Sequence, residues 1–413
     1  MELRVSIDPA SLRRFRSHPV FKSLILGRPV NRVETGEAYR LTRSTYRLGG
    51  GAWRAEMVVV HGRAQGGPEI CFADIRHEEG PSEPLCTLLQ AMADTAAFAL
   101  VPLSADPFAA APPSVKSPAA SLHRDMTARE AFAAIAAAST AHLIANHQCL
   151  RQDGAPEAIH QMRVALRRLR SAMSMFKEML AGPGTEALRD ELRWLQQILG
   201  AARDWDVLLA DTVAPLRETL GGLAGYERLC ALIAERRQEA RTLALAELAA
   251  PRLPKLMLRL SFWIEQAGQD GPHADRPVAQ LARAILDKRY RRVRREMTRF
   301  NELSVEARHQ CRIDIKKLRY AADFFSGLYP IKRGQRLQPL LAALQDRLGA
   351  LNDIAVARDK LEALVLKDGS AELAWAAGQL IGWHTGRSGR LVEQVLNDWT
   401  AVEKIPAFWR ETA

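Results

Sequence analysis

The chain has 413 residues, 47% apolar and 25% charged, and its 58 Lys+Arg against 47 Asp+Glu leave a formal charge of +11. That length exceeds what one hydrophobic core usually serves, so two or three compact units are expected. The composition is that of a globular protein, no stretch approaches the roughly 20 uninterrupted apolar residues that cross a bilayer, and the positive surplus favours anionic partners: nucleic acid, polyphosphate or acidic lipid.

The opening MELRVSIDPA has no basic-then-apolar leader, so the cytoplasm is the expected compartment, with no membrane partner. Residues 2–101 contain two β-like runs, RLTRSTYRL and AWRAEMVVVHG, around the turn Gly49-Gly50-Gly51, followed by the helical-looking PLCTLLQAMADTAAFALV. This predicts a small α+β domain over 1–103. The Pro/Ala-rich SADPFAAAPPSVKSPAAS, residues 104–121, reads as a linker. Nearly everything beyond it reads as helix, opening with the capping box Thr127-Ala128-Arg129-Glu130. Helix punctuation is expected at Asp153-Gly154, Gly182-Pro183-Gly184, Gly200, Gly221-Gly222, Gly268 to Pro272 and Tyr329-Pro330. Residues 1–120 carry 14 Lys+Arg and 12 Asp+Glu, so nine of the eleven surplus charges fall in this helical part.

An internal repeat decides the organisation. An offset of 149 residues sets HQMRVALRRLR, from His160, on HQCRIDIKKLR, from His309, and the same offset sets LQQILGAARDWDV on LQDRLGALNDIAV. A constant offset over two separate stretches implies duplication of a whole helical bundle, not a short solenoid repeat. The fold class is therefore mainly α, with duplicated antiparallel bundles related by a pseudo-two-fold, at 122–270 and 271–413, preceded by the small α+β domain.

At about 100° per residue, with His160 at zero, Arg163, Arg167 and Arg170 fall near 300°, 340° and 280°, while Arg168 falls near 80°. Met162, Ala165, Leu166, Leu169, Met173 and Phe176 form the opposite, apolar stripe. The second copy places Arg312, Lys316 and Arg319 beside His309, with Asp314 departing from the Ala165 position. Like charges one turn apart destabilise a lone helix by a few tenths of a kcal/mol per pair, so each strip, roughly 15 Å long, gains from an anion that neutralises it. A single such strip reads more readily as a solvated or salt-bridged surface helix, and the duplication reverses that preference in favour of a site. Lys288, Arg291, Arg292 and Arg295 mark a further cationic helix face, either solvated or widening the same patch.

His160 and His309 have no consistently placed nucleophile, carboxylate or second histidine, so they read equally as hydrogen-bond donors to phosphate, strengthened by partial protonation near pH 6.5, or as satisfied interfacial histidines. Asp204 and Asp353 follow Gly200 and Gly349, and are expected to stabilise helix starts or pair with strip arginines. Cys71, Cys86, Cys149, Cys230 and Cys311 contain no CxxC pair and read as buried or incidental thiols. The tryptophans do not interleave with the strips and read as core or interface residues, not base-stacking platforms. No metal or cofactor is expected.

IHQMRVALRRLRSAM and HQCRIDIKKLRYAADFF, with LGAARDWDV, LGALNDIAV, GQLIGWHTGR and the ending AFWR, resemble the two halves of a CHAD domain, the conserved histidine α-helical domain, over residues 121–413. The resemblance implies two helical bundles with a basic surface or channel for inorganic polyphosphate, and association with polyphosphate granules. It places anion binding on His160, Arg163, Arg167, Arg168 and Arg170, and on His309, Arg312, Lys316, Lys317 and Arg319. The N-terminal MELRVSIDPASLRRFRSHPVF resembles the opening of a CYTH triphosphatase domain, with Glu2 and Arg4 at signature positions and Asp74 and Glu78 as acidic remnants. The first signature glutamate is absent and about 100 residues are too few for the full tunnel, so this unit is expected to be shortened and inactive. The function expected is non-catalytic polyphosphate binding. The alternatives are a CYTH-type triphosphatase with an accessory binding domain and, less favoured without aromatic interleaving, nucleic-acid binding.

Overall fold

The computed structural model describes every residue except 37–38, 65–68, 96–97, 104–112, 330 and 411–413. The N-terminal part runs β1 (Glu2–Ile7), α1 (Leu12–Ser17), α2 (Pro19–Leu24), β2 (Val30–Gly36), β3 (Tyr39–Gly50), β4 (Trp53–Ala64), β5 (Glu69–Glu79), α3 (Glu83–Thr95) and β6 (Phe98–Val101). The strands form one sheet in the order β2-β3-β4-β5-β1-β6. Period-two alternation sets its faces: Leu3, Val5 and Ile7 are buried, while Glu2 and Arg4 lie on the other side. The β3–β4 hairpin turns at Gly51 (φ 62°). Phe98–Val101 differs from the expected continuous helix: four consecutive buried residues pair with β1 as a strand.

The helices that follow are α4 (Ala128–Asp153), α5 (Pro156–Met175), α6 (Pro183–Val207), α7 (Arg217–Leu220), α8 (Tyr226–Ala249), α9 (Arg252–Gln266), α10 (Val278–Met297), α11 (Val305–Phe325), α12 (Ile331–Asp368) and α13 (Ala371–Glu403). α4 packs on α5 and α5 on α6, as α10 packs on α11 and α11 on α12. Thr127 and Pro277, which precede α4 and α10, form an antiparallel bridge with each other. Phe176 and Phe325, 149 positions apart, meet with ring centroids 6.4 Å apart. Equivalent residues touching each other is what a two-fold axis between the halves requires.

One apolar core is continuous from the sheet through both sets of helices, and α3 rests on α9. A second core joins the far ends of α6, α8, α12 and α13. Of the expected linker, residues 113–121 carry no regular structure and 104–112 lie outside the described residues. The capping box at α4 is complete: Thr127 Oγ1 accepts from Glu130 N, and Glu130 Oε2 accepts from Thr127 N at 2.8 Å. Thr127→Ala should lower stability by about 1 kcal/mol, read as a lower melting temperature.

Gly200 and Gly349 do not interrupt helices. They lie inside α6 and α12, so Asp204 and Asp353 sit mid-helix and not at helix starts. An interior glycine is unfavourable by roughly 1 kcal/mol, which the packing of a helix this long offsets. After Val207 the backbone widens into a π turn, Leu208–Val213. Two of its carbonyls are satisfied from outside: Tyr226 Oη donates to Val213 O at 3.0 Å, and His384 Nε2 lies 2.8 Å from Thr212 O.

Candidate anion-binding cleft

Helices α5, α6, α11 and α12, two pairs of repeat equivalents, enclose a cleft of about 580 Å³ between the two cores. α5 contributes His160, Arg163 and Arg167, and α11 contributes Arg312 and Lys316. The facing helices present Gln196, Arg203 and Asp204 from α6 and Gln345, Asp346, Gly349, Asn352, Asp353 and Lys360 from α12. Asp211, in the π turn, completes the acidic members, so six Lys/Arg side chains face four aspartates.

The α5 strip points into this space because its opposite stripe is the core: Met162, Ala165, Leu166, Leu169 and Met173 are buried. Arg163 crosses to α6, donating from Nη1 to Leu199 O at 2.9 Å, with Nη2 3.7 Å from Asp204 Oδ1. A Cβ at Gly200 would stand 3.4 Å from Arg163 Nη1, so the glycine leaves room for the guanidinium to reach that carbonyl. Arg167 Nε donates to Tyr320 Oη of α11 at 3.2 Å, tying the two strips together.

Positive charge is crowded here. Burial and then Arg167, Arg312, Arg163 and Arg170 push the Lys316 ammonium down to about 7. Burial, with Arg203, Arg167 and Arg163, also holds the His160 imidazole below its ordinary value against the pull of Glu157. Burial and the neighbouring arginines therefore oppose the partial protonation of His160 expected from sequence, and a bound anion would favour it. Burial raises the Asp353 carboxyl, which Arg312 opposes. Among the described residues, no group of three or more His, Cys, Asp or Glu side chains is placed to hold a metal.

The other residues of the strips are distributed as follows. His309 is exposed at the rim, its Nδ1 2.5 Å from Asn352 Oδ1. Arg170 lies near Lys316 and acts on it electrostatically, though it does not line the cleft. Arg319 is half-buried outside it. Arg168 is buried, ion-paired with Asp323 and laid over the Phe324 ring at 4.7 Å, so it links α5 to α11 instead of facing the cleft. Lys317 and the α10 residues Lys288, Arg291, Arg292 and Arg295 also lie outside. Lys317 and Arg292 share Asp314, and Arg291 Nε donates to the Asp287 carbonyl. The α10 face does not widen the cleft because α12, not α10, flanks the open side of α11.

Arg203, Asp211, Asp346 and Lys360 were missed from sequence. Gln196 and Gln345, Asp204 and Asp353, in register in the repeat, already marked the polar face that carries two of them. Lys360 is also held over the Trp205 ring at 4.3 Å.

The chain matches the family model of the CHAD domain over residues 134–362. It belongs to the CHAD domain family. The crystal structure of the CHAD domain from the plant Ricinus communis is 31% identical, covers 71% of this chain and 98% of its own, and superposes with a TM-score of 0.63. PptA from Streptomyces chartreusis, 17% identical with a TM-score of 0.50, covers 67% of this chain and 100% of its own, a likeness of fold. No curated protein matches the chain. The CHAD match contains all four helices of the cleft in full or nearly so, and begins after the N-terminal sheet ends. Among the described residues, no helix is long and apolar enough to cross a membrane.

Proposed function

We propose that the chain binds inorganic polyphosphate, without catalysis, in the cleft between its two helical halves, and that it associates with polyphosphate granules. The observation that carries this reading is the gathering of Arg163, Arg167, Arg203, Arg312, Lys316 and Lys360 from both halves around one cleft, where burial first and then the neighbouring arginines push the Lys316 ammonium down to about 7. So many like charges in one half-buried space are individually unfavourable, and a chain of phosphates relieves them together. Arginine offers forked hydrogen bonds to phosphoryl oxygens and lysine a point charge, which suits a polymer recognised by its repeating charge.

Long-chain polyphosphate titrated into the full protein at two salt concentrations tests the reading. If the six cations of the cleft each release a counterion, affinity should drop about 10³-fold between roughly 50 and 200 mM salt, by the relation that holds for nucleic-acid phosphates. An affinity indifferent to salt would rule out this cleft as the site, and displacement by duplex DNA at equal phosphate concentration would assign it to nucleic acid.

For residues 1–103 the proposed reading is a shortened, inactive CYTH-like unit. Register supports it: Arg4 stands opposite Asp74 across β1 and β5, and its Nε and Nη2 donate to that carboxylate at 2.5 and 2.9 Å. Glu2, Arg76 and Glu56 likewise lie in one cross-strand row, so charge on this face is matched within the sheet.

A further inference from the structure

A second hollow, of about 410 Å³, opens between α10, α11 and the segment just after α5. Lys316 lines the cleft and its neighbour Lys317 the hollow, about 100° apart around α11. Lys177, Arg276, Lys288, Arg289, Arg292 and Lys317 face Glu178 and Asp314 here, so positive charge exceeds negative by more than in the cleft.

The equivalent surface of the first half is neutralised and covered. Arg168, the repeat equivalent of Lys317, is buried against Asp323. An offset of 150 relates α4 to α10 and sets His142 on Arg292 and Asn146 on Glu296. His142 Nε2 lies 2.8 Å from Val115 O, while Asn146 donates to that carbonyl and accepts from Val115 N, each at 3.0 Å. The segment 113–121 is thereby held over that face.

The second half is neutralised only in part. The position of Asp323 is taken by Ser174, an uncharged hydroxyl on the wall of the hollow. Asp314 supplies one buried carboxylate, accepting from Arg292 at 2.8 Å and Lys317 at 3.2 Å. Among the described residues, Lys177, Arg276, Lys288 and Arg289 have no carboxylate within 4 Å. Arg289 is half-buried, and burial pushes it down to about 10 against the opposing pull of Asp314, while its guanidinium donates to the Lys317 carbonyl. His273, also on the wall, has a left-handed backbone (φ 66°), which histidine adopts more readily than most residues other than glycine.

We infer that this hollow is a second phosphate site, separate from the cleft, that holds a short run of phosphoryl groups between α10, α11 and the segment after α5. It stands whether or not the cleft binds polyphosphate. The hollow has room for a few phosphoryl groups, and its donors come from three directions, as a compact polyanion requires.

Calorimetric titration of the full chain with tripolyphosphate tests it. Wild type should take two equivalents; Lys177→Glu with Lys288→Glu should lose one, and Arg167→Gln with Lys316→Gln the other. Lys177 and Lys288 are exposed, so the first variant should keep its helical circular dichroism. Each removed charge-assisted contact should weaken the affected site about tenfold. Weakening confined to long-chain polyphosphate would support a hollow that holds a segment of a longer polymer. Wild-type stoichiometry and affinity for both ligands in a natively helical Lys177→Glu, Lys288→Glu protein would overturn the inference. Loss in that variant, with none in the cleft variant, would uphold the hollow and refute the cleft.

Discussion

Arg163→Ala combined with Arg312→Ala should weaken long-chain polyphosphate binding by about a hundredfold or more while leaving helix content unchanged, since each charge-assisted contact contributes roughly 1.5–3 kcal/mol. The two arginines come from opposite strips, so the pair tests whether both halves face one ligand. They also differ in what else they do. Arg163 holds α6 through Leu199 O and stands 3.7 Å from Asp204, so its loss removes an internal tie as well as a cation. Asp204→Asn separates those roles: it removes one negative charge from the cleft and releases Arg163 to the ligand, so affinity should rise several-fold. A merely structural role for the Arg163–Asp204 pair would move both variants in the same direction. Salt dependence gives the second readout, because two lost phosphate contacts should flatten the slope of log affinity against log salt by about 1.8. Unchanged affinity in the double variant would move the polymer out of the cleft.

The duplication, the capping box, the β3–β4 hairpin and the inward stripe of α5 were legible in sequence because each rests on local spacing. The cleft was legible only in part. The helical wheel placed Arg163, Arg167 and Arg170 on one face and Arg168 well off it, and Arg168 is indeed buried against the other half; the family resemblance had grouped all four. Lys288 and Arg292 do form a cationic face, yet periodicity within a helix cannot say which neighbour that face meets, and here it looks onto the second hollow. Arg203 and Lys360 were hidden because aspartates share their helices and cancel the charge signal. Gly200 looked like a helix end, since glycine is as readily a terminator as a close-approach residue; only the position of Arg163 distinguishes the two. The difference between Ala165 and Asp314 was visible as a break in the repeat, but its meaning needed the partners Arg292 and Lys317.

Lys316 should make polyphosphate binding depend on pH above neutrality. Its ammonium is pushed down to about 7 from an ordinary 10.5, first by burial and then by the surrounding arginines. Between those values the unfolded chain holds a proton that the folded, empty protein has released, so this residue makes stability rise with pH from about 7 to 10.5, and its full destabilising effect is present below 7. A bound polyanion favours the ammonium and raises its value. Binding at pH 8 should therefore take up a proton, and affinity should fall as pH rises from about 7 toward the higher value of the complex. His160, held below its ordinary 6.5, contributes its own uptake in a separate, more acidic window. Calorimetric titrations at pH 8 in two buffers of different ionisation enthalpy measure the uptake directly. Lys316→Arg, charged throughout, should abolish it and flatten the pH profile while preserving tight binding. Lys316→Met should raise the melting temperature of the empty protein at pH 7 and weaken binding, because the charge that opposes folding is the one that draws the polymer in. Identical heats in the two buffers, or a Lys316→Arg protein with the wild-type pH profile, would show that the ammonium is charged before the ligand arrives and that the crowding of arginines around it is already relieved within the protein.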